Sequence, residues 1–211
     1  MKSHKLLREV DTQETIRCLS QGAEAIISLD KNQIVKFRVP KSYRIKEIDD
    51  KLRNRRTKSE AKIMQKLNGI IPVPEIKTVI EKENKIIMEN IEGKKLSDNL
   101  EKLDYKKISK LIAENITKMH DKGIVHGDLT TSNMILKNDK VYIIDFGLGF
   151  HSEKIEDKAV DLHLLKQALE AKHYTIAKEC FEIILKNYKA EDSEKIIKRI
   201  NTIEKRGRYR H

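Results

Sequence analysis

The sequence predicts an α+β chain of two lobes: a small antiparallel β-sheet with one long helix, then a reduced helical lobe. Three observations carry this expectation. The first third alternates β-branched runs with short polar turns. A long charged stretch there holds apolar residues at helical spacing. After Gly93 the apolar residues recur every three or four positions through several segments.

In chain order, "EAIISLD" and "QIVKFRV" are β-branched runs joined by Asp30-Lys31-Asn32, a hairpin turn. "IKEIDDKLRNRRTKSEAKIMQKLNG" places Ile48, Leu52, Ile63, Met64 and Leu67 at helical spacings, with Gly69 as a stop. "IPVPEIKTVIEKENKIIMENIEG" adds two strands around Lys82-Glu83-Asn84. In "DYKKISKLIAENITKMHDKG", Ile108, Leu111, Ile112, Ile116 and Met119 share one helical face. Further helices are expected around "KAVDLHLLKQALEA", "YTIAKECFEIILKNY" and "SEKIIKRINTIEKR". The change of character near Ile91 to Gly93 divides the chain into lobes 1–91 and 92–211. A cleft between two such lobes is where a ligand is expected.

At 211 residues, 38% hydrophobic and 36% charged, the chain can bury a core beneath a highly charged surface. Its Lys/Glu/Ile-rich composition fits a heat-adapted source and an AT-rich genome alike. A net charge of +11 favours anionic partners such as nucleotides, nucleic acid or acidic proteins, and equally suits a solubilising surface. Cys18 and Cys180 make no disulfide framework and no CxxC pair. No signal-peptide start and no 18-residue apolar run is found, so a cytoplasmic protein without membrane contact is expected.

The chemistry is concentrated in "GIVHGDLTTSNMILKNDKVYIIDFGLG", residues 123–149. "HGDLTTSN" matches H-x-D-x-x-x-x-N, with Asp128 and Asn133, and DFG begins at Asp145, twelve residues after Asn133. Phosphoryl transfer needs positioning and charge neutralisation more than covalent help. Asp128 suits the acid that orients the acceptor hydroxyl. Asn133 and Asp145 offer the hard oxygens that Mg²⁺ prefers, against the phosphates of ATP. His126 fits a scaffold residue near the DFG turn better than a catalyst. The whole spacing, in a strand–turn–strand context, is far more specific than a lone DFG.

Upstream partners follow in order. Lys36, in "QIVKFRV", stands where a phosphate-reaching Lys stands in V-A-I-K. By itself it would read as a solvated strand residue. Glu60 is chosen to hold it, ahead of Glu47 and Asp49, because Ile63, Met64 and Leu67 turn that part of the helix inward. Gln21, Gly22, Ala23, Glu24 and Ala25 occupy the place of a Gly-rich phosphate loop, although one glycine serves an ordinary hairpin equally well. In "IIMENIEG", the Glu89 carbonyl and Ile91 amide, behind Met88, are placed to meet adenine, and a plain strand and linker would use the same residues.

With these residues named, the chain resembles the small, RIO-like group of atypical protein kinases, and more narrowly the family of KEOPS-complex kinase subunits, the p53-related protein kinases. "SQGAEA", "RTKSEAKIM", "IIMENIEG", "HGDLTTSN", "IIDFGLG", "EDKAVDLHLLKQAL" and "RGRYRH" carry the likeness over nearly the whole chain. The resemblance implies a two-lobed protein-kinase-like fold, ATP and Mg²⁺ binding, Ser/Thr kinase or ATPase activity, and a Kae-type partner, fused to the kinase in some archaeal proteins. It also implies other KEOPS subunits and a role in threonylcarbamoyl-adenosine modification of tRNA. Departures from ordinary kinases are plain. Gly127 replaces the Arg of HRD, Thr130 replaces a common Lys, and no APE motif follows DFG. Broad protein phosphorylation is therefore not expected, whereas autophosphorylation or partner-driven ATP hydrolysis is. Asp161 is expected to anchor the catalytic-loop backbone.

Two other classes share parts of this pattern. Small-molecule phosphotransferases of the aminoglycoside- and choline-kinase-like type also use HGD with Asn five residues on, but usually carry an acidic pocket and a larger helical lobe for cationic substrates, whereas this chain is short and strongly basic. A pseudokinase scaffold would not keep Lys36, Asp128, Asn133 and Asp145 together. The basic surface and the tail "KRGRYRH", residues 205–211, are expected to contact tRNA, although a solvated terminus has the same composition.

Overall fold

The structure, a computed structural model, describes residues 17–22 and 24–208, the last three by backbone alone. Five antiparallel strands form the first sheet: β1 (Arg17–Gln21), β2 (Ala25–Asp30), β3 (Gln33–Arg38), β4 (Ile76–Ile80) and β5 (Lys85–Glu89), in the order β1-β2-β3-β5-β4. Asp30 pairs with Gln33 across a two-residue turn. Lys31 and Asn32 both have positive φ, 45° and 64°, the mirror-image turn that matches strand twist. β1 has no counterpart in the sequence reading. Its five residues are all exposed and its register shifts between Cys18 and Ser20, so no alternation marks it.

Helix α1 (Lys46–Leu67) buries Thr57, Glu60, Ala61, Ile63, Met64 and Leu67. Its first half departs from the apolar face expected of Ile48 and Leu52. Ile48 is 51% exposed and Leu52 is half-buried. Asp49 and Arg53 are buried instead, joined at 2.7 Å. Asp49 also accepts from the Lys41 amide and faces Arg44, so its charge is satisfied inside the fold. Gly69, at φ +79°, takes the left-handed conformation that ends the helix.

The chain crosses through Asn90 to Gly93. A Cβ on Gly93 would lie 2.4 Å from the Leu136 carbonyl oxygen, a close approach only glycine permits. Beyond it come β6 (Lys94–Lys95), α2 (Leu96–Asn99) and α3 (Tyr105–Asp121), whose N-terminus is capped by the Asp104 carboxylate on Lys107 N–H at 3.0 Å. Then follow β7 (Ile124–Val125), β8 (Met134–Lys137), β9 (Lys140–Ile143) and β10 (Phe150–His151). The helices α4 (Ile155–Lys172), α5 (Ala177–Asn187) and α6 (Ser193–Arg208) complete the order. β8 pairs with β6 and β9, and β7 pairs with β10. These short ladders hold the motif loops at their ends.

Ile108, Ile112, Ile116 and Met119 of α3 are buried and Leu111 is half-buried. α3 packs on α5, and α4 on α6. One continuous core runs from Met64 and Ile86 through Met119 and Phe146 to Leu165 and Ile196. Each such side chain contributes about 1.5–3 kcal/mol when buried. Among the described residues no helix is long and apolar enough to cross a membrane.

Candidate active site

Alternation along β3 turns Lys36 and Arg38 to one face, and both are buried. Lys36 Nζ lies 2.7 Å from Glu60 Oε1 on α1 and 2.6 Å from Asp145 Oδ1 after β9. Its partner is thus Glu60. Glu47 is exposed, and Asp49 is engaged with Arg53. Burial alone would lower the Lys36 pKa, but the Glu60 and Asp145 carboxylates outweigh it and hold the ammonium above its ordinary value. Burial would likewise raise Asp145. The Lys36 charge and hydrogen bond, with the Gly147 amide, hold its carboxyl below the usual range.

Asp145 adopts φ 63°. Its Oδ1 accepts the Gly147 N–H at 3.1 Å, and Gly149 N–H closes the turn on the Phe146 carbonyl at 2.9 Å. A Cβ on Gly147 would come within 3.0 Å of Asp145 Oδ1 and 3.1 Å of Arg38 Nη2, so the turn is crowded by the groups it serves.

The loop between β7 and β8 is pinned from below. The buried Asp161 carboxylate accepts His126 N–H at 2.8 Å and Gly127 N–H at 2.9 Å. The Asp128 N–H donates to His126 Nδ1 at 3.3 Å, which leaves Nε2–H to donate to the Ile144 carbonyl at 3.1 Å. The His126 ring also packs on Phe146, with centroids 4.8 Å apart. His126 is therefore a brace between the two motif loops. Asn133 Nδ2 donates to the Asp128 carbonyl at 2.9 Å and to Asp128 Oδ2 at 3.0 Å. Beneath this layer, His120 bridges Asp161 at 3.3 Å and the Tyr188 hydroxyl at 2.8 Å.

Two cavities meet at Ser20, Ile27, Lys36 and Asp145. The larger, about 450 Å³, is walled on one side by Ile34, Met88, Ile135 and Ile144 and edged by Glu89, Asn90 and Ile91. The smaller, about 310 Å³, holds Gly22, Glu24, Ala25, Arg38, Arg56, Asp128 and Gly147. Gln21 lies in β1 and lines neither. Ala23 is outside the described residues. Among the described residues, a Cβ on Gly22 would meet the Ala25 carbonyl at 3.6 Å, an ordinary van der Waals distance.

The donor set fits a hard divalent ion. Asp145 already faces a cation, the Lys36 ammonium, and Asn133 commits its Nδ2 to Asp128, which leaves its carbonyl oxygen as acceptor. Arg38 and Arg56 were not singled out from sequence. Arg38 could have been found from its place two residues beyond Lys36 on a strand. Arg56, paired with Glu24 at 2.7 Å, carries no such signal.

The RIO domain family model matches residues 17–154, which include Lys36, Glu60, Asp128, Asn133 and Asp145. The chain is 45% identical over 213 residues to the KEOPS complex subunit Bud32 of Pyrococcus abyssi, across 92% of this chain and 97% of that one. The chain belongs to the Bud32 family of RIO-domain proteins. A further Bud32 relative, the EKC/KEOPS complex subunit BUD32 of Encephalitozoon cuniculi, is 41% identical, with 90% of this chain and 94% of that protein covered. A probable bifunctional tRNA threonylcarbamoyladenosine biosynthesis protein of Methanobrevibacter smithii is 44% identical over 92% of this chain, but the match spans 37% of that longer protein. The fold of this Bud32-family chain is shared with the streptomycin–ATP ternary complex of APH(2″)-IIa, at TM-score 0.61 and 15% identity, over 88% of this chain and 81% of that one.

Proposed function

We propose that the chain is an ATP-dependent atypical Ser/Thr kinase or ATPase that works as a KEOPS subunit in threonylcarbamoyl-adenosine modification of tRNA. One observation carries the chemistry: Lys36, Glu60 and Asp145 converge within 2.7 Å contacts on the cleft that Asp128 also lines. The names of the Bud32 relatives support the biological setting, and the longer relatives support a Kae-type partner, joined or separate.

In this reading the lobes 1–91 and 92–211 close on ATP. The adenine enters the larger cavity, where the Glu89 carbonyl and Ile91 amide meet its edge behind Met88. Gly22, Glu24 and Ala25 cover the phosphates. Lys36, held by Glu60, reaches them from the sheet. Asp145 and the Asn133 carbonyl oxygen would hold Mg²⁺, which would supply charge neutralisation for the transferring phosphoryl group. Asp128, steadied by Asn133, orients the attacking hydroxyl or water and receives its proton. The basic surface and the tail from Lys205 contact tRNA. Residues 209–211 of that tail lie outside the described residues.

The small-molecule phosphotransferase alternative is not favoured, since its support is a fold likeness at 15% identity against relatives above 40%. The deciding experiment measures ATP turnover of the purified chain with and without a Kae-type partner. Mg²⁺-dependent turnover that the partner raises supports the proposal. Turnover raised only by an aminoglycoside or choline would overturn it.

A further inference from the structure

Arg38 has no part in the mechanism above, yet it is only 3% exposed and lies beside the reacting groups. Its Nη2 donates to Glu60 Oε2 at 2.5 Å, while Glu60 Oε1 faces Lys36. One carboxylate is thus divided between two cations that alternation places on the same face of β3. The Arg38 backbone is tied to the same helix. Its carbonyl accepts from Arg53 Nη1 at 3.4 Å. Arg53 and Glu60 are seven residues apart, two turns along one face of α1, so residue 38 grips the helix at points about 10 Å apart. The guanidinium also reaches the DFG turn, where a Cβ on Gly147 would lie 3.1 Å from Nη2.

We propose that Arg38 is the positioning residue that holds helix α1, and with it Glu60, against the Asp145 turn, in place of any phosphorylated activation segment. The inference rests on the phosphoryl-transfer reading for its consequence but not for its geometry. Lys36 cannot do this work alone, because it is shared with Asp145 and must turn to phosphate when nucleotide enters. Arg38 keeps its hold on Glu60 throughout. A buried, charge-assisted pair of this kind locks a geometry, and removing one partner leaves a buried charge uncompensated.

A direct phosphate contact is the competing role, since Arg38 lines the smaller cavity and its buried Nε has no hydrogen-bond partner among the described residues. The two roles separate in experiment. Backbone hydrogen exchange over residues 57–67 is compared in the full chain for wild type, Arg38→Met, Arg38→Lys and Lys36→Met, together with nucleotide KM and kcat. Arg38→Met is expected to speed exchange in α1 by roughly tenfold or more, from the usual strength of a hydrogen bond to a charged group. Lys36→Met should leave that exchange near the wild-type rate. Arg38→Met should lower kcat with little change in KM, and Arg38→Lys should recover part of it. If Arg38→Met does not fold, Arg38→Lys decides, by exchange in α1 faster than wild type or unchanged. Unchanged exchange in the Arg38 variants overturns the proposal, as does a raised nucleotide KM at constant kcat. Exchange needs no turnover, so a loosened helix in a chain without ATPase activity would sink the phosphoryl-transfer reading and leave this one standing.

Discussion

A Cβ placed on Gly127 would lie 2.5 Å from the carbonyl oxygen of Leu148, and Gly127 itself holds φ +78°. The glycine of HGD is thus a steric requirement of how the two motif loops cross. An ordinary kinase carries Arg there. Gly127→Arg is expected to destabilise the chain by about 1–3 kcal/mol through overpacking, before the cost of the left-handed backbone is added. Urea unfolding checks this. A variant as stable as wild type would show that the loops can separate freely.

Asp161 joins α4 to that loop by accepting two backbone N–H groups, and it is fully buried. Asp161→Asn keeps the shape but turns one acceptor end into a donor. One buried N–H then lacks a partner, at a cost of about 1–3 kcal/mol. The expected result is a lower urea midpoint with an unchanged slope.

His173 is buried beside Thr131, with Nε2 3.2 Å from Thr131 Oγ1. Burial lowers its pKa below 6.5, and the neighbouring Lys172 adds to this while Glu101 opposes it. With the folded value depressed, the unfolded chain takes up the proton first as pH falls. The stability contribution is therefore present above the unfolded value and lost as pH falls below it. Thermal midpoints measured at successive pH values should drop on acidification below 6.5, and His173→Gln should flatten that slope. Parallel curves for the two proteins would remove His173 from the explanation.

Asp145→Ala removes the carboxylate that faces Lys36 at 2.6 Å. Calorimetric titration with nucleotide should lose the difference between runs with and without Mg²⁺. A variant that keeps the full Mg²⁺ enhancement would place the metal elsewhere.

Much of this arrangement was legible in sequence because its signals are periodic or spaced. The apolar rows of α3 and the turn residues Lys31, Asn32 and Asn84 mark their elements. The fixed spacing of Asp128, Asn133 and Asp145 marks one site. What stayed hidden depends on pairing. β1 is an exposed edge strand, so nothing alternates along it. Asp49 and Arg53 are buried because they meet each other and further polar partners, and hydropathy reads both as solvated while Ile48, apolar by type, faces out. Arg38 is concealed for the same reason, since its burial depends on Glu60, twenty-two residues later.

Asn133 fixes the Asp128 carboxylate and backbone with one amide group, at 3.0 and 2.9 Å. If Asp128 orients the attacking oxygen, its loss belongs in kcat and not in nucleotide binding. The measurement is single-turnover and steady-state ATP cleavage by wild type and Asp128→Asn, alongside nucleotide affinity. A fall in kcat of about 10²-fold or more with nearly unchanged affinity is expected from the usual magnitude of general-base catalysis. An Asp128→Asn chain that turns ATP over at the wild-type rate would contradict the mechanism.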